Sequence, residues 1–527
     1  MSIKENTQEV DERLAALITN SNAIRAVAAA VEGTIGPKGL DIMLVDRFGE
    51  VTITNDGVTI LKQMDVNHPA AKILINIAKA QQEEVGDGTT TATIMAGAMV
   101  SEGVAQILRG VPVARVIEGI KIGVQKAQEI LNANVIPVKG IDDPNLKNVA
   151  LIAGRENQDI ADLVTNAAKL IGEEKLKDKN FKFKDIIISR AGAENEVFLG
   201  LIIDKEKVNN QMPEELTDVK VLLIDDALEP EEVAPEALRT EAGFAKYMAL
   251  KEEFKENIKK IIDLGVNLVL VDKSINDEAE EMLTDAGIIA LERVSRKDME
   301  RVAEHTGARI MKRLGLKKPA EEIREYIGHA EKAYEDEKLK QLRIVGGKGA
   351  PIATVLVGAA TEEIVDERER IAKDAASSLQ AAILYGMVPG GGAIEIAISR
   401  ELEKERGKTK GMAAYGMDCV ITALKKPLAQ IVYNAGFNPL EKVEEAMYTQ
   451  AETNKNSIGI NCDDGKVADM VELGVLDPAR VKAYALKAAG EVSEAILRIN
   501  TIIKKRDNVP AGQSAGQEPM GMGEMDF

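Results

Sequence analysis

The chain has no tryptophan, and aromatic residues make up only 3% of it. Its cores must therefore be built from Ala, Ile, Leu and Val, through many closely packed helices instead of large aromatic anchors. Two cysteines, Cys419 and Cys462, are too few for a disulfide framework. The three histidines, His68, His305 and His329, lie far apart and show no metal-ligand spacing, which assigns them to surface or packing roles. Basic residues are outnumbered 67 to 86, and a formal charge of −19 argues against general nucleic-acid binding, which shows a basic face. The start, MSIKENTQEVDERL, lacks the basic-then-apolar order of a signal peptide. No run reaches the ~20 uninterrupted apolar residues of a membrane span. The expectation is a cytoplasmic protein with neither a nucleic-acid nor a membrane partner.

At 527 residues and 45% hydrophobic content, the chain can bury more than one core. Small apolar residues recur at helical spacing between Asn20 and Glu32 (Ala23, Val27, Ala30, Val31). A second apolar stripe, Ile73, Ile77 and Ala80, follows Pro69, a residue suited to a helix start. Between them Leu44-Val45 and Val51 to Thr54 flank Asp46-Arg47-Phe48-Gly49 and read as a hairpin.

The centre changes character. Apolar runs at 186–188, 201–203, 221–224, 268–271 and 288–291 alternate with helical stretches such as Asp277 to Ala286, the pattern of an α/β domain. After Val355 to Val357 the chain turns helical again through Arg498, so an α/β middle is inserted into a helical body made by both ends. The segment Glu229 to Glu241 is acidic and carries Pro230 and Pro235; a helix with a stripe at Tyr247, Leu250, Phe254, Ile258 and Ile261 follows. That stripe either faces a core or belongs to a protruding element whose outer half contacts another protein. The tail from Asn508 is rich in Gly, Pro and Met without periodicity and is expected to be disordered.

Four glycine-containing pieces bear on chemistry. No Gly-x-x-x-x-Gly-Lys-Ser/Thr run occurs, which excludes a P-loop. Gly86-Asp87-Gly88-Thr89-Thr90-Thr91 sits between two helical patterns. Its glycines let backbone close on an anion, its hydroxyls can donate to phosphate or cap a helix, and Asp87 offers a carboxylate to magnesium. Thr34-Ile35-Gly36-Pro37-Lys38-Gly39 ends a helix, Thr54-Asn55-Asp56-Gly57 has hairpin-turn composition, and Val388 to Ala393 holds three consecutive glycines. Each alone is an ordinary structural turn.

In their order they are specific. TIGPKGLDIMLVD, TNDGVTIL, HPAAKILINIAKAQQEEVGDGTTT, VPGGGA, NAGFNPLEKVE and GVLDPARVK resemble the nucleotide-binding segments of the chaperonins, over essentially the whole chain apart from the N-terminal arm and the tail. HPAAKILINIAKAQ and DKEKVNNQMP resemble the group II (thermosome and eukaryotic-cytosolic) branch, and a divergent bacterial member of it is an open alternative.

The resemblance implies a multidomain fold with three parts. A mostly α-helical equatorial ATP-binding domain spans 1–136 and 393–527, and a small α/β intermediate hinge domain spans 137–205 and 355–392. An α/β apical client-binding domain spans 206–354, with a helical lid protrusion at about 229–258. It also implies ATP and Mg2+ as cofactors. Asp87 matches the magnesium ligand, Gly88, Thr89, Thr90 and Thr91 the phosphate cradle, and Ile35, Gly36 and Pro37 the loop against the nucleotide. Asp56 and Asp374 match the aspartates that act on the attacking water, with Asp374 on a helix that swings over bound ATP. Gly391 falls near the ribose and base, and Asp477 matches the acid that bonds the ribose hydroxyls. Arg155 stands where relatives carry a γ-phosphate-sensing lysine; it keeps the charge but presents a planar fork. The implied function is an ATPase that encloses non-native client proteins in two stacked rings of eight subunits, with no separate co-chaperonin cap. The competing class is a small-molecule ATP-dependent kinase or ligase, which would need a second substrate pocket.

Overall fold

The computed structural model describes residues 2–49, 51–234, 236–361 and 364–501, with side chains from 14 onward. The expected disordered tail, 508–527, lies outside the described residues, as does Pro235 of the expected protrusion.

Both chain ends supply one helical body. The helices Ser2–Glu32, Pro69–Glu84, Thr89–Leu108, Val113–Ala133, Ala393–Arg406, Ala413–Asn434 and Ala479–Leu497 bury a shared core that runs from Leu17 to Leu131 and resumes from Val388 to Leu497. Local chemistry sets several of their starts. Pro69 occupies the first turn of its helix, and His68 Nδ1 accepts from the Ala70 amide at 3.2 Å. Asn438 caps the Pro439–Thr453 helix in the same manner. Glycines permit the close approaches an Ala- and Val-built core requires: a Cβ on Gly119 would stand 1.9 Å from the Ala413 carbonyl oxygen. Two helices, Leu14–Glu32 and Thr89–Leu108, have the length and mean hydropathy to cross a membrane, which the search for uninterrupted apolar runs missed. The Thr89–Leu108 helix has 61% of that window buried and serves as a central core helix here.

A second core joins Leu146 to Ile187 with Ala353 to Met387, centred on the Val365–Tyr385 helix. Beyond it a nine-stranded mixed sheet runs in the order Ile187–Ala191, Ala353–Ala359, Glu196–Ile203, Gln341–Gly347, Gly328–Asp336, Glu215–Ile224, Leu268–Val271, Ile289–Leu291; Ile310–Met311 pairs with Glu215–Ile224. Its parallel portion, Val221 to Ile224 beside Leu268 to Val271, is buried on both faces, which accounts for the unbroken apolar runs in the sequence. Strand Glu196–Ile203 pairs with Ala353–Ala359 through its first half and with Gln341–Gly347 through its second, so the hydrogen-bonded path continues from the second core into the α/β region.

The hairpin forms as expected, Ile42–Val45 against Val51–Thr54. Thr54-Asn55-Asp56-Gly57 is not a second hairpin turn. It leads from a strand into the Gly57–Gln63 helix, with Asp56 as its N-cap. The helix Glu241–Asp263 shows a divided stripe. Of the stripe, Phe254, Ile258 and Ile261 are buried and Tyr247 and Leu250 half-buried, whereas Phe244 and Met248, outside the stripe and nearer the helix start, are 56% and 50% exposed.

Candidate functional site

A cavity of about 450 Å³ opens where the helical body meets the Val365–Tyr385 helix. Its volume lies in the range of small-molecule sites. Its lining brings together Ile35, Gly36, Pro37, Asp56, Asp87, Gly88, Thr89, Thr90, Thr91, Arg155, Asp374, Gly391 and Asp477, every site residue singled out in the sequence.

Two helix N-termini point into this space without side-chain caps. Gly88, at φ 78°, precedes Thr89–Leu108, and Gly392, at φ 84°, precedes Ala393–Arg406. The threonines therefore do not cap the first helix, and its leading amides remain available to an anion, reinforced by the helix dipole. The Thr34 to Gly39 loop forms another wall. Gly36 has φ +89°, and Asn434 Nδ2 donates to the Glu32 and Ile35 carbonyls at 2.9 Å each, fixing the loop against the helical body.

The carboxylates differ in their surroundings. Asp56 Oδ2 accepts from the Thr59 amide at 3.0 Å and the Thr59 hydroxyl at 2.7 Å, which locks its rotamer. Asp87 Oδ1 accepts from the Gly88 amide at 2.5 Å and Oδ2 from the Ser378 hydroxyl at 3.0 Å. Desolvation and the charge of Asp477 push the Asp87 carboxyl up. Asp374 accepts from Arg370 Nη1 at 3.0 Å and from Gln82 Nε2 at 3.4 Å. Burial pushes its carboxyl up to about 8; Arg370 opposes that shift, and Asp87 and Asp56 add to it.

Five residues absent from the sequence reading, Arg370, Glu367, Lys482, Glu395 and Ser378, complete the electrostatics. Arg370 reaches Glu367 through a bidentate contact, Nη2 to Oε1 at 2.5 Å and Nε to Oε2 at 3.1 Å, and lies 3.9 Å from Asp56. Arg155 also donates to Glu367 Oε1, at 3.1 Å, so this guanidinium is tethered to the helix that carries Asp374. Burial, and then the neighbouring Arg370, hold its pKa below the ordinary value. Lys482 stands between Glu395 at 2.7 Å and Asp477 at 2.8 Å. Burial works against the Lys482 charge, but Asp477 and Glu395 outweigh it and push its pKa up. Ser378 completes the set. Helical spacing could have flagged Arg370, one turn before Asp374, and Lys482 follows Asp477 by five residues; Glu395 and Ser378 carried no signal.

Asp374, on the Val365–Tyr385 helix, lines the same cavity as Asp56 and Asp87 in this structure.

Oxygen donors dominate the cavity: carboxylates and threonine hydroxyls, with no histidine and no cysteine in the lining. That set suits a hard divalent cation. Among the described residues no group of three or more His, Cys, Asp or Glu forms a ready-made metal cage. One carboxylate beside phosphate oxygens, the usual magnesium arrangement, is what the site can provide.

The arrangement is that of a nucleotide-hydrolysing domain built on helix N-termini, not on a P-loop. The TCP-1/cpn60 chaperonin family model matches residues 27–507. Thermosome subunit beta of Archaeoglobus fulgidus is 37% identical over 95% of this chain and 94% of its own length. Thermosome subunit alpha of Thermoplasma acidophilum is 34% identical over 98% and 96%. A crystal structure of a group III chaperonin in the open state superposes with a TM-score of 0.88 and 46% identity, over 94% of this chain and 100% of that one. The chain belongs to the TCP-1/cpn60 chaperonin family, has its multidomain architecture, and is an ATP-dependent chaperonin subunit of the thermosome-like kind. The archaeal relatives give no support for the bacterial alternative.

Proposed function

We propose that the cavity binds ATP with its phosphates on the Gly88 to Thr91 turn and hydrolyses it to drive enclosure of non-native proteins. The observation that carries this reading is the convergence of Asp56, Asp87 and Asp374, which lie far apart in sequence, on one cavity beside two uncapped helix N-termini. Asp87 would hold Mg2+ on the phosphates. The ion supplies the positive charge that a site already holding several carboxylates needs to accept a polyanion. Asp374 accepts the proton of the attacking water, Asp56 orients that water, and Arg370 holds the Asp374 carboxylate in place. Arg155 answers to the γ-phosphate, exchanging Glu367 for it. Asp477 takes the ribose hydroxyls and Gly391 lies beside the sugar and base.

The division of labour follows the cores. Residues 1–136 and 393–527 act as the equatorial part, 137–205 and 355–392 as the hinge, and 206–354 as the client-binding part. A built-in lid at about 229–258 would make a separate cap unnecessary. The exposed Phe244 and Met248 near the start of the Glu241–Asp263 helix support that role. Assembly is into two stacked rings of eight, in the cytoplasm. The kinase or ligase alternative is not favoured, because the chaperonin family model and the thermosome relatives match nearly the whole chain.

Electron microscopy of the purified protein with and without ATP tests the reading. An open double ring that closes with ATP is expected, together with ATP-dependent recovery of a denatured client. A monomer in both states would overturn it.

A further inference from the structure

Ser378 is fully buried on the Val365–Tyr385 helix, in the second core, yet its hydroxyl hydrogen bond leaves that core. Three other buried helix hydroxyls close onto their own helix, Thr93 onto the Thr89 carbonyl, Thr306 onto Val302 and Ser493 onto Ala489, each four residues back, while Ser399 reaches a backbone carbonyl of a neighbouring helix, that of Ile421, at 3.3 Å. The local bond is the least costly way to satisfy a buried hydroxyl. Ser378 has only one proton, and donates it at 3.0 Å to Asp87 Oδ2, 291 residues away in sequence. The approach is tight. A Cβ on Gly86 would stand 2.6 Å from the Ser377 Cβ, so the Gly-Asp-Gly turn accommodates the helix only because that residue is glycine.

The consequence for Asp87 is geometric. The Gly88 amide holds Oδ1 and Ser378 holds Oδ2, so the carboxylate plane is fixed by two donors on different parts of the chain. Each oxygen keeps a lone pair for a cation. Outer donors of this kind orient a metal-binding carboxylate, and their loss costs roughly 10- to 100-fold in metal affinity.

We propose that Ser378 is a positioning residue for metal–nucleotide binding: it holds the Asp87 carboxylate toward the cation and makes metal affinity depend on docking of the Val365–Tyr385 helix. This rests on the reading of Asp87 as the metal ligand. Because Asp374 rides on the same helix, one turn before Ser378, the movement that delivers the water-activating carboxylate also orients the metal-binding one.

The test is calorimetric titration of the assembled protein with ADP, in Mg2+ and in EDTA, which reads the gain in affinity that the metal confers without any turnover. The parent should bind ADP more tightly in Mg2+. Ser378→Ala should lose about 10-fold or more of that gain while keeping its affinity in EDTA, and Ser377→Ala, which packs on Gly86 without bonding Asp87, should keep both. If Ser378→Ala does not assemble, Ser378→Cys, with a weak donor of similar size, carries the same comparison. A full metal gain in the Ser378 variant, or an equal loss in Ser377→Ala, overturns the role of Ser378 and leaves Asp87 standing. A parent with no metal gain overturns the assignment of Asp87, and this inference with it.

Discussion

The water-activating base proposed here, Asp374, has to be ionised to act, and its ionisation is contested. Burial raises its carboxyl to about 8 and Arg370, at 3.0 Å, works the other way. The active form is the anion, so kcat/KM for ATP, which reports the free enzyme, should rise with pH to a plateau above about pH 8. Arg370→Met removes the group that favours the anion and should move that rise to higher pH; Arg370→Lys should fall between. An unmoved profile in Arg370→Met would separate the two residues. Asp374→Ala should lose turnover by about 10²- to 10⁴-fold. It should retain nucleotide binding, because Asp374 is not the carboxylate proposed to hold the metal. Hydrolysis at the parent rate would remove Asp374 from its role. The same titration bears on stability. The folded pKa lies above the ordinary value of 3.8, so the contribution of Asp374 is fully present below about pH 4 and is lost as pH rises through about 8. Denaturation of the nucleotide-free Asp374→Asn protein should lack that component.

At the scale of elements, the hairpin Ile42–Val45 with Val51–Thr54 presents a problem of its own. The pairs Met43 with Ile53 and Val45 with Val51 put four apolar side chains on one face, 51–61% exposed, while Ile42 and Leu44 turn toward the helical core. A two-stranded hairpin is marginal by itself, and an apolar strand face left in water invites a partner. In a ring the available partner is the neighbouring subunit. Met43→Lys with Ile53→Lys should therefore weaken assembly, each losing about 1.5–3 kcal/mol of apolar burial, with the helical circular dichroism unchanged. Light scattering after size exclusion reads the outcome, and intact rings would show that this face is not an interface. The hairpin was legible in the sequence because alternation and a Gly-containing turn are local signals. So were the parallel strands, whose double-sided burial imposes unbroken apolar runs. Thr54 to Gly57 misled for the same local reason: Asn-Asp-Gly suits a hairpin turn, but Asp56 instead caps a helix, and only the residues after it decide. The glycine loops and aspartates of the site were legible through their order. Glu395 and Ser378 were not, because their partners Lys482 and Asp87 lie far away in sequence and folding alone brings them together.

Across the whole molecule, the helical body and the second core are joined by few covalent crossings. One strand of chain enters near Ile136 and another returns near Met387, and these two residues exchange backbone hydrogen bonds of 2.7 and 2.9 Å beside Gly386 at φ 77°. A narrow two-strand neck of this kind bends at a small number of dihedrals. Further ties include Leu476, which packs into the second core, Arg480, which lies over the Tyr385 ring, and the cavity, where Asp374, Arg370 and Ser378 meet Gln82, Asp56 and Asp87. On the proposed reading, occupancy of the cavity loads this neck as a hinge, and the nine-stranded sheet gives such a motion a continuous hydrogen-bonded path from the second core to the strands that flank the Glu241–Asp263 helix. If that helix and the residues just before it are part of a lid, exposed basic residues there report the motion directly. Arg239 and Lys246 are exposed in this structure and are trypsin sites. ATP should slow cleavage at both by about tenfold or more, since protection scales with the fraction of closed particles, whereas ADP should leave them open. Equal cleavage with and without ATP, in particles shown to hydrolyse it, would mean that the hinge moves without closing the chamber and that the protrusion is not a lid.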